Sequence, residues 1–276
     1  MSPAVETLLV AQRELRTNFR SAKGVALLAL TLIGGVITAL VWSKGMHANE
    51  ELGLSGTTAS AIPAGLIALA GLAFILRATV WLTPLLVLII GFDSISSELQ
   101  YRSVRYWTVR LRRQSFFVGK VLGLWAVVAI VTLGMDVLVW AIFLAHGRTA
   151  AEVMSTGPGL WLVSLPISFA WSAIACLVGS QFRTPMLALL VTWACFFGLF
   201  IASHVGVDAL RFLYPNYYED WMLADLGDVA KSIEQMATPN LFASDPKRIA
   251  IGASGCFALG AIVTAVGAFG FTRRDL

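Results

Sequence analysis

The side chains best suited to recognition chemistry gather in one stretch, Asp93–Lys120, which reads DSISSELQYRSVRYWTVRLRRQSFFVGK. Two acids come early, Asp93 and Glu98, and Arg102, Arg105, Arg110, Arg112 and Arg113 follow. Tyr106 and Trp107 lie among the arginines, and the stretch closes on Gly119-Lys120. A guanidinium offers several donors in a rigid fork, which suits carboxylates and carbonyls on a partner surface. The aromatic pair adds an amphipathic anchor. The same charges would also hold anionic lipid. Nucleotide chemistry is excluded here: a phosphate-cradling loop needs G-x-x-x-x-G-K-[ST], and Gly119-Lys120 lacks both the upstream glycine and the following hydroxyl. No cofactor is expected.

Two further ionisable residues lie deep in apolar surroundings, Arg77 and Asp136. Counted from Asp93 and Lys120 as matching span edges, each lies about 24 Å in, at about 1.5 Å per residue. Opposite charges at equal depth are expected to pair, since a lone ion in hydrocarbon is costly. The spans carry no paired acid and histidine, no G-x-S-x-G and no H-E-x-x-H, which argues against a membrane-embedded enzyme. His47, His146 and His204 each follow an odd-numbered span, with Met46 and Met154 nearby. Soft-metal binding there is conceivable, but interfacial histidines without a shared role are the expectation, and no metal site is assigned. Cys176, Cys195 and Cys256 fall in separate apolar segments and read as small packing residues.

The elements that position these residues follow from composition. The 276 residues are 58% hydrophobic and 13% charged, with mean hydropathy +0.78, whereas a soluble domain carries about 25% charged residues. Each bilayer crossing takes about 20 apolar residues. The apolar stretches give an all-α membrane protein with six transmembrane helices, at about 24–43, 77–92, 118–145, 160–179, 186–203 and 249–271. Residues 61–76 continue the second apolar stretch, either as an interfacial helix before a crossing at Arg77 or as part of one long tilted helix. Glycines recur in the last span, at Gly252, Gly255, Gly260, Gly267 and Gly270, and permit close helix contact.

Before the first span, Val5, Leu8, Leu9, Leu15 and Phe19 share a helical face from which Glu6, Arg13 and Glu14 are excluded. That pattern predicts an amphipathic interfacial helix. Between spans five and six, Leu223, Leu226, Ala230, Ile233 and Ala237 recur at helical spacing, predicting an outer helix resting on the span ends. Most of the 20 basic residues then fall on the side of the N-terminus, and most acids opposite. The positive-inside rule places both termini in the cytoplasm. The formal charge of +4 is accounted for by residues beside span ends, so no nucleic-acid partner is expected.

The order of these features resembles the ABC-2 type permeases, membrane subunits of one class of ABC exporter that includes copper-maturation and multidrug or antibiotic export permeases. Their pattern after the second span is an acid, Gly-Thr, a leucine-rich helix, Pro-x-x-Arg and Gly-Lys. Glu98 matches the acid, Arg112 or Arg113 the arginine, and Gly119-Lys120 the ending. Arg13–Arg16 (R-E-L-R), the six-span layout and the closing Arg273-Arg274-Asp275-Leu276 extend the resemblance over the whole chain. Arg102-Ser103 stands in place of Gly-Thr, and Leu111 near the proline position, which marks a divergent branch. The resemblance implies a cytoplasmic coupling helix in the loop after span two, with Glu98, Arg102, Arg105, Tyr106, Trp107, Arg110, Arg112 and Arg113 facing a separate dimeric ABC ATPase. It also implies a second permease copy or paralogue, surrounding membrane lipid, and the inner membrane of a bacterium. A permease of an ATP-driven exporter is the first functional expectation. The second is a non-transporting scaffold of the kind found in motility or pilus-assembly machines.

Overall fold

The computed structural model describes residues 2–21, 24, 25, 29, 32–37, 40, 64–103, 111–145, 149–205, 208–224 and 242–273. Its helices are α1 (Pro3–Arg20), α2 (Ala64–Gly91), α3 (Ser96–Gln100), α4 (Arg113–Ala145), α5 (Ala150–Gly179), α6 (Pro185–Val205), α7 (Asp208–Arg211), α8 (Glu219–Met222) and α9 (Pro246–Thr272). A 3-10 turn, Pro215–Tyr218, precedes α8. Among the described residues five helical stretches are long and apolar enough to cross a membrane: Val80–Gln100, Arg113–Ala145, Val153–Gly179, Pro185–Val205 and Pro246–Thr272. The chain is therefore a helical, multi-pass membrane protein. Half of the first expected span lies outside the described residues; of the rest, 24, 25, 29, 32–37 and 40 are helical.

Of the two readings left open for the stretch before Arg77, α2 follows the continuous one: one helix runs through that residue from Ala64. The preceding residues are mostly Ala and Leu, strong helix formers that outweigh Gly65 and Gly71, and nothing at Arg77 interrupts the backbone ladder. Pro84 sits inside the helix without ending it.

Successive long helices run antiparallel, so the bundle has two ends. At one end lie α1, the Gly91 end of α2, the start of α4, the Gly179–Pro185 turn and the Thr272 end of α9. The far end holds Ala145, Ala150, Val205, α7 and the start of α9. Phe116, Phe117 and Phe271 stack near the α1 end, with Phe116 and Phe271 centroids 5.8 Å apart. Trp125, Phe169 and Phe257 tie α4, α5 and α9 together further in. The last-span glycines admit these rings: Gly260 faces Phe169 and Gly267 faces Phe117, where a Cβ would collide. By contrast α6 buries only 11% of its apolar window. Met186, Leu190 and Ile201 project outward from it, a surface suited to lipid rather than water.

Candidate functional site

The N-terminal helix meets α4 through two small residues. A Cβ on Gly119 would lie 2.6 Å from Val10 Cβ and 2.8 Å from the Thr7 carbonyl oxygen. One turn on, a Cβ on Gly123 would lie 2.6 Å from Glu14 Cβ and 3.0 Å from the Ala11 carbonyl oxygen. Glycines four apart clear a groove that admits the backbone of a second helix. The face of α1 lowered into it is Glu6, Val10 and Glu14, all buried. The apolar residues Val5, Leu8 and Leu9 point away, Leu8 being 70% exposed. Thus α1 presents its acidic stripe to the protein and the first part of its apolar stripe outward, while Leu15 and Phe19 further along pack against the core.

That docking assembles a buried charge cluster. Lys120 Nζ donates to Glu14 Oε2 at 2.5 Å and pairs with Glu98 Oε1 at 2.7 Å. Ser94 Oγ donates to Glu14 Oε1 at 2.7 Å, and Asn18 Nδ2 donates to the same oxygen at 3.3 Å. Glu6 Oε2 accepts the Arg112 backbone N–H at 3.1 Å, which ties the end of the inter-span loop to α1. Three sequence-separated elements therefore converge on one ammonium group: α1 through Glu14, the helix after α2 through Glu98, and α4 through Lys120. A buried cation held by two carboxylates is costly to break, because removing one member strands the others.

Glu98 is positioned by its own short helix and by what ends it. Tyr101 is the C-cap of α3, and Arg102 beyond it has φ 55°. This left-handed cap is glycine's usual place, since a side chain there meets a steric penalty. Arg102 occupies the position where the resembled pattern has glycine, and the backbone takes the glycine-like conformation regardless. The Arg102 N–H donates to the Leu99 carbonyl at 3.3 Å, and Ser103 Oγ to the Glu98 carbonyl at 3.3 Å. The serine hydroxyl thereby satisfies a carbonyl that the helix end leaves unpaired.

Of the other expected coupling residues, Arg112 is exposed. Arg113 is half-buried and its Nη1 donates to the Thr272 carbonyl at 3.1 Å, closing the C-terminus of α9. Arg105, Tyr106, Trp107 and Arg110 lie outside the described residues, as do His47, His146 and most of the expected outer helix. Leu223, the first residue of that expected helix, bridges to Phe242 in extended conformation instead. His204 Nδ1 lies 2.8 Å from the Phe200 carbonyl. Among the described residues no three His, Cys, Asp or Glu side chains gather into a metal-binding group, and Cys176, Cys195 and Cys256 are all free.

Arg77, expected to pair with Asp136, is seen to meet another carboxylate. Arg77 Nε forms an ion pair with Glu219 Oε1 at 3.3 Å, and its Nη1 donates to the Ala224 carbonyl at 2.9 Å. Asp136 is buried on α4. The segment after α7 turns back into the bundle and delivers this carboxylate. Trp171 Nε1, on α5, donates to Asn216 Oδ1 at 2.8 Å. Gly252 and Gly255 of α9 take Met222 and Tyr218 where a Cβ would not fit. Tyr214, Asn216, Glu219, Met222 and Leu223 are consequently buried. Burial pushes the Glu219 carboxyl up to about 7; Arg77 pulls it down and Asp220 adds to the rise.

Sequence reading passed over Glu14 and Glu219 as cluster members. The usable signal for Glu14 was the pair of four-residue spacings, Val10/Glu14 and Gly119/Gly123, which are mutually complementary surfaces. Glu219 sits in an aromatic-rich connection with no such pattern. The chain matches no protein-family model and no curated protein sequence.

Proposed function

We propose that this chain is the membrane-spanning permease subunit of an ATP-driven exporter of the ABC-2 type, working with a separate dimeric ATPase and a second permease copy or paralogue. The observation that carries the reading is the convergence at Lys120. The pieces that resemble the ABC-2 pattern (R-E-L-R at Arg13–Arg16, Glu98 and Gly119-Lys120) are far apart in the chain, yet Glu14, Glu98 and Lys120 touch in one buried cluster. On this reading the loop after α2 is the ATPase-facing element, with Arg105, Tyr106, Trp107, Arg110 and Arg112 supplying contacts. Displacement of that loop reaches α1 and α4 through Glu98, Lys120 and Glu14 as one rigid unit. Both termini are cytoplasmic and six crossings are completed by a first span before α2. Hydrolysis belongs to the ATPase, since the chain has no phosphate-cradling loop.

Co-purification with an ABC ATPase subunit tests the assignment. Replacing Arg105, Arg110 and Arg112 with Glu is expected to abolish recovery of the ATPase while membrane insertion persists. Undiminished recovery removes the coupling role. Substrate-stimulated ATP hydrolysis in liposomes separates an exporter from a scaffold.

A further inference from the structure

The outward flank of α1 carries side chains that take no part in the charge cluster. Both acids of the helix are turned inward, Glu6 to the Arg112 N–H and Glu14 to Lys120. Its three arginines, Arg13, Arg16 and Arg20, are all exposed. At about 100° per residue these arginines and Leu9 share about 60° of arc, between the buried stripe and the outward apolar stripe of Val5 and Leu8. Between the arginine side chains lies an open depression of about 560 Å³, lined also by Leu9, Gln12 and Thr17. The exposed charge of the helix is thus entirely positive and borders directly on exposed aliphatic side chains.

We propose that this flank is a binding site for the phosphate headgroup of an anionic phospholipid. The arginines and the Gln12 and Thr17 side chains would meet the headgroup, and Val5, Leu8 and Leu9 the upper acyl chain. A helix in the membrane surface plane has this layout, with basic residues at the margin of an apolar face. Guanidinium groups suit phosphate because they donate two parallel hydrogen bonds. A soluble protein partner would leave the apolar stripe in water. The site rests on the membrane reading of the fold alone and holds whether or not the chain is an export permease.

Binding of fluorescent phosphatidylglycerol and phosphatidylcholine to the full chain in neutral detergent tests the site. Each basic residue near an anionic surface contributes about 1 kcal/mol, or about fivefold in affinity. The Arg13→Gln/Arg16→Gln/Arg20→Gln variant is expected to bind phosphatidylglycerol about a hundredfold more weakly, with phosphatidylcholine binding unchanged. The charge-retaining Arg13→Lys/Arg16→Lys/Arg20→Lys variant keeps the fold under test and is expected to stay within about tenfold of the native protein. Equal phosphatidylglycerol affinity for the native and Gln proteins overturns the proposal. Complete displacement of the lipid by millimolar inorganic phosphate also overturns it, reducing the flank to a free-anion site. Loss of ATPase co-purification in the Gln variant, with lipid binding intact, overturns it in favour of a protein-docking face.

Discussion

The two buried ion clusters differ in how much freedom their charges keep. Around Lys120 the cation is 5% exposed and meets two carboxylates, each of which belongs to a different element. Around Arg77 the cation is 17% exposed and meets one carboxylate, from a segment that has folded back into the bundle. In the first, a surplus of carboxylate keeps the ammonium charged and fixed. In the second, the carboxyl is pushed up to about 7 by burial, so its charge is close to balance near neutral pH. One cluster is a permanent fastening between α1, α3 and α4; the other is a contact that protonation weakens.

The largest effect is expected at the fastening. Lys120→Met leaves Glu14 and Glu98 buried and facing each other, and the loss of stability is expected to be on the order of 3–5 kcal/mol. Thermal unfolding in detergent reads this directly. A triple variant, Glu14→Gln/Glu98→Gln/Lys120→Met, should recover much of the loss because no buried charge is then stranded. If the single variant melts like the native protein, the two clusters do not differ in the way described.

The next effect distinguishes the clusters by pH. Glu219 has a folded-state value near 7, raised from the usual 4.5. A raised carboxyl favours the fold below its unfolded value, and that contribution is lost as pH rises through the folded one. Stability is therefore expected to fall between about pH 4.5 and 7, by up to about 3 kcal/mol from this group. Glu219→Gln should flatten the slope over that window. A slope unchanged in Glu219→Gln would place the titration elsewhere.

The smallest effect concerns how Glu98 is presented to Lys120. Arg102 holds a left-handed cap at φ 55°, where glycine meets no steric cost. Arg102→Gly is expected to stabilise by up to about 1 kcal/mol, while Arg102→Val should destabilise, since a β-branched residue tolerates that conformation poorly. Unfolding midpoints of the two variants check the sign.

Sequence singled out Glu98 and Gly119-Lys120, but as parts of a partner-facing loop. Their closure with Glu14 into one fastening was not legible, because it depends on how α1 packs on α4. Nor was the orientation of α1. Its apolar residues define a face, but a helix beside a membrane can turn that face to lipid and give its acids to the protein, as Glu6 and Glu14 do. The long helices were legible from hydropathy because their length and apolar content are set by the solvent they cross. Glu219 was illegible for the opposite reason. It lies in an aromatic-rich connection with no helical or strand period to mark an inner face, and only the packing of Tyr214–Leu223 against α5 and α9 takes it inside. The contact of Arg77 with Glu219 depends on that long-range return, which counting depth along adjacent helices does not register.

The length of α4 carries one further consequence. Its 33 residues span about 50 Å at about 1.5 Å per residue, whereas bilayer hydrocarbon is about 30 Å thick. Some of the helix must overshoot, or the helix must tilt. If the overshoot divides evenly, Lys120, about 10 Å from the start of α4, lies level with the edge of the hydrocarbon. The waterline then crosses the lysine and its two carboxylates. A bilayer a few ångströms thicker submerges these charges and makes their mutual attraction dearer to lose; a thinner one lets water reach them. Lipid chain length thereby becomes a dial on how tightly α1 is held to the bundle.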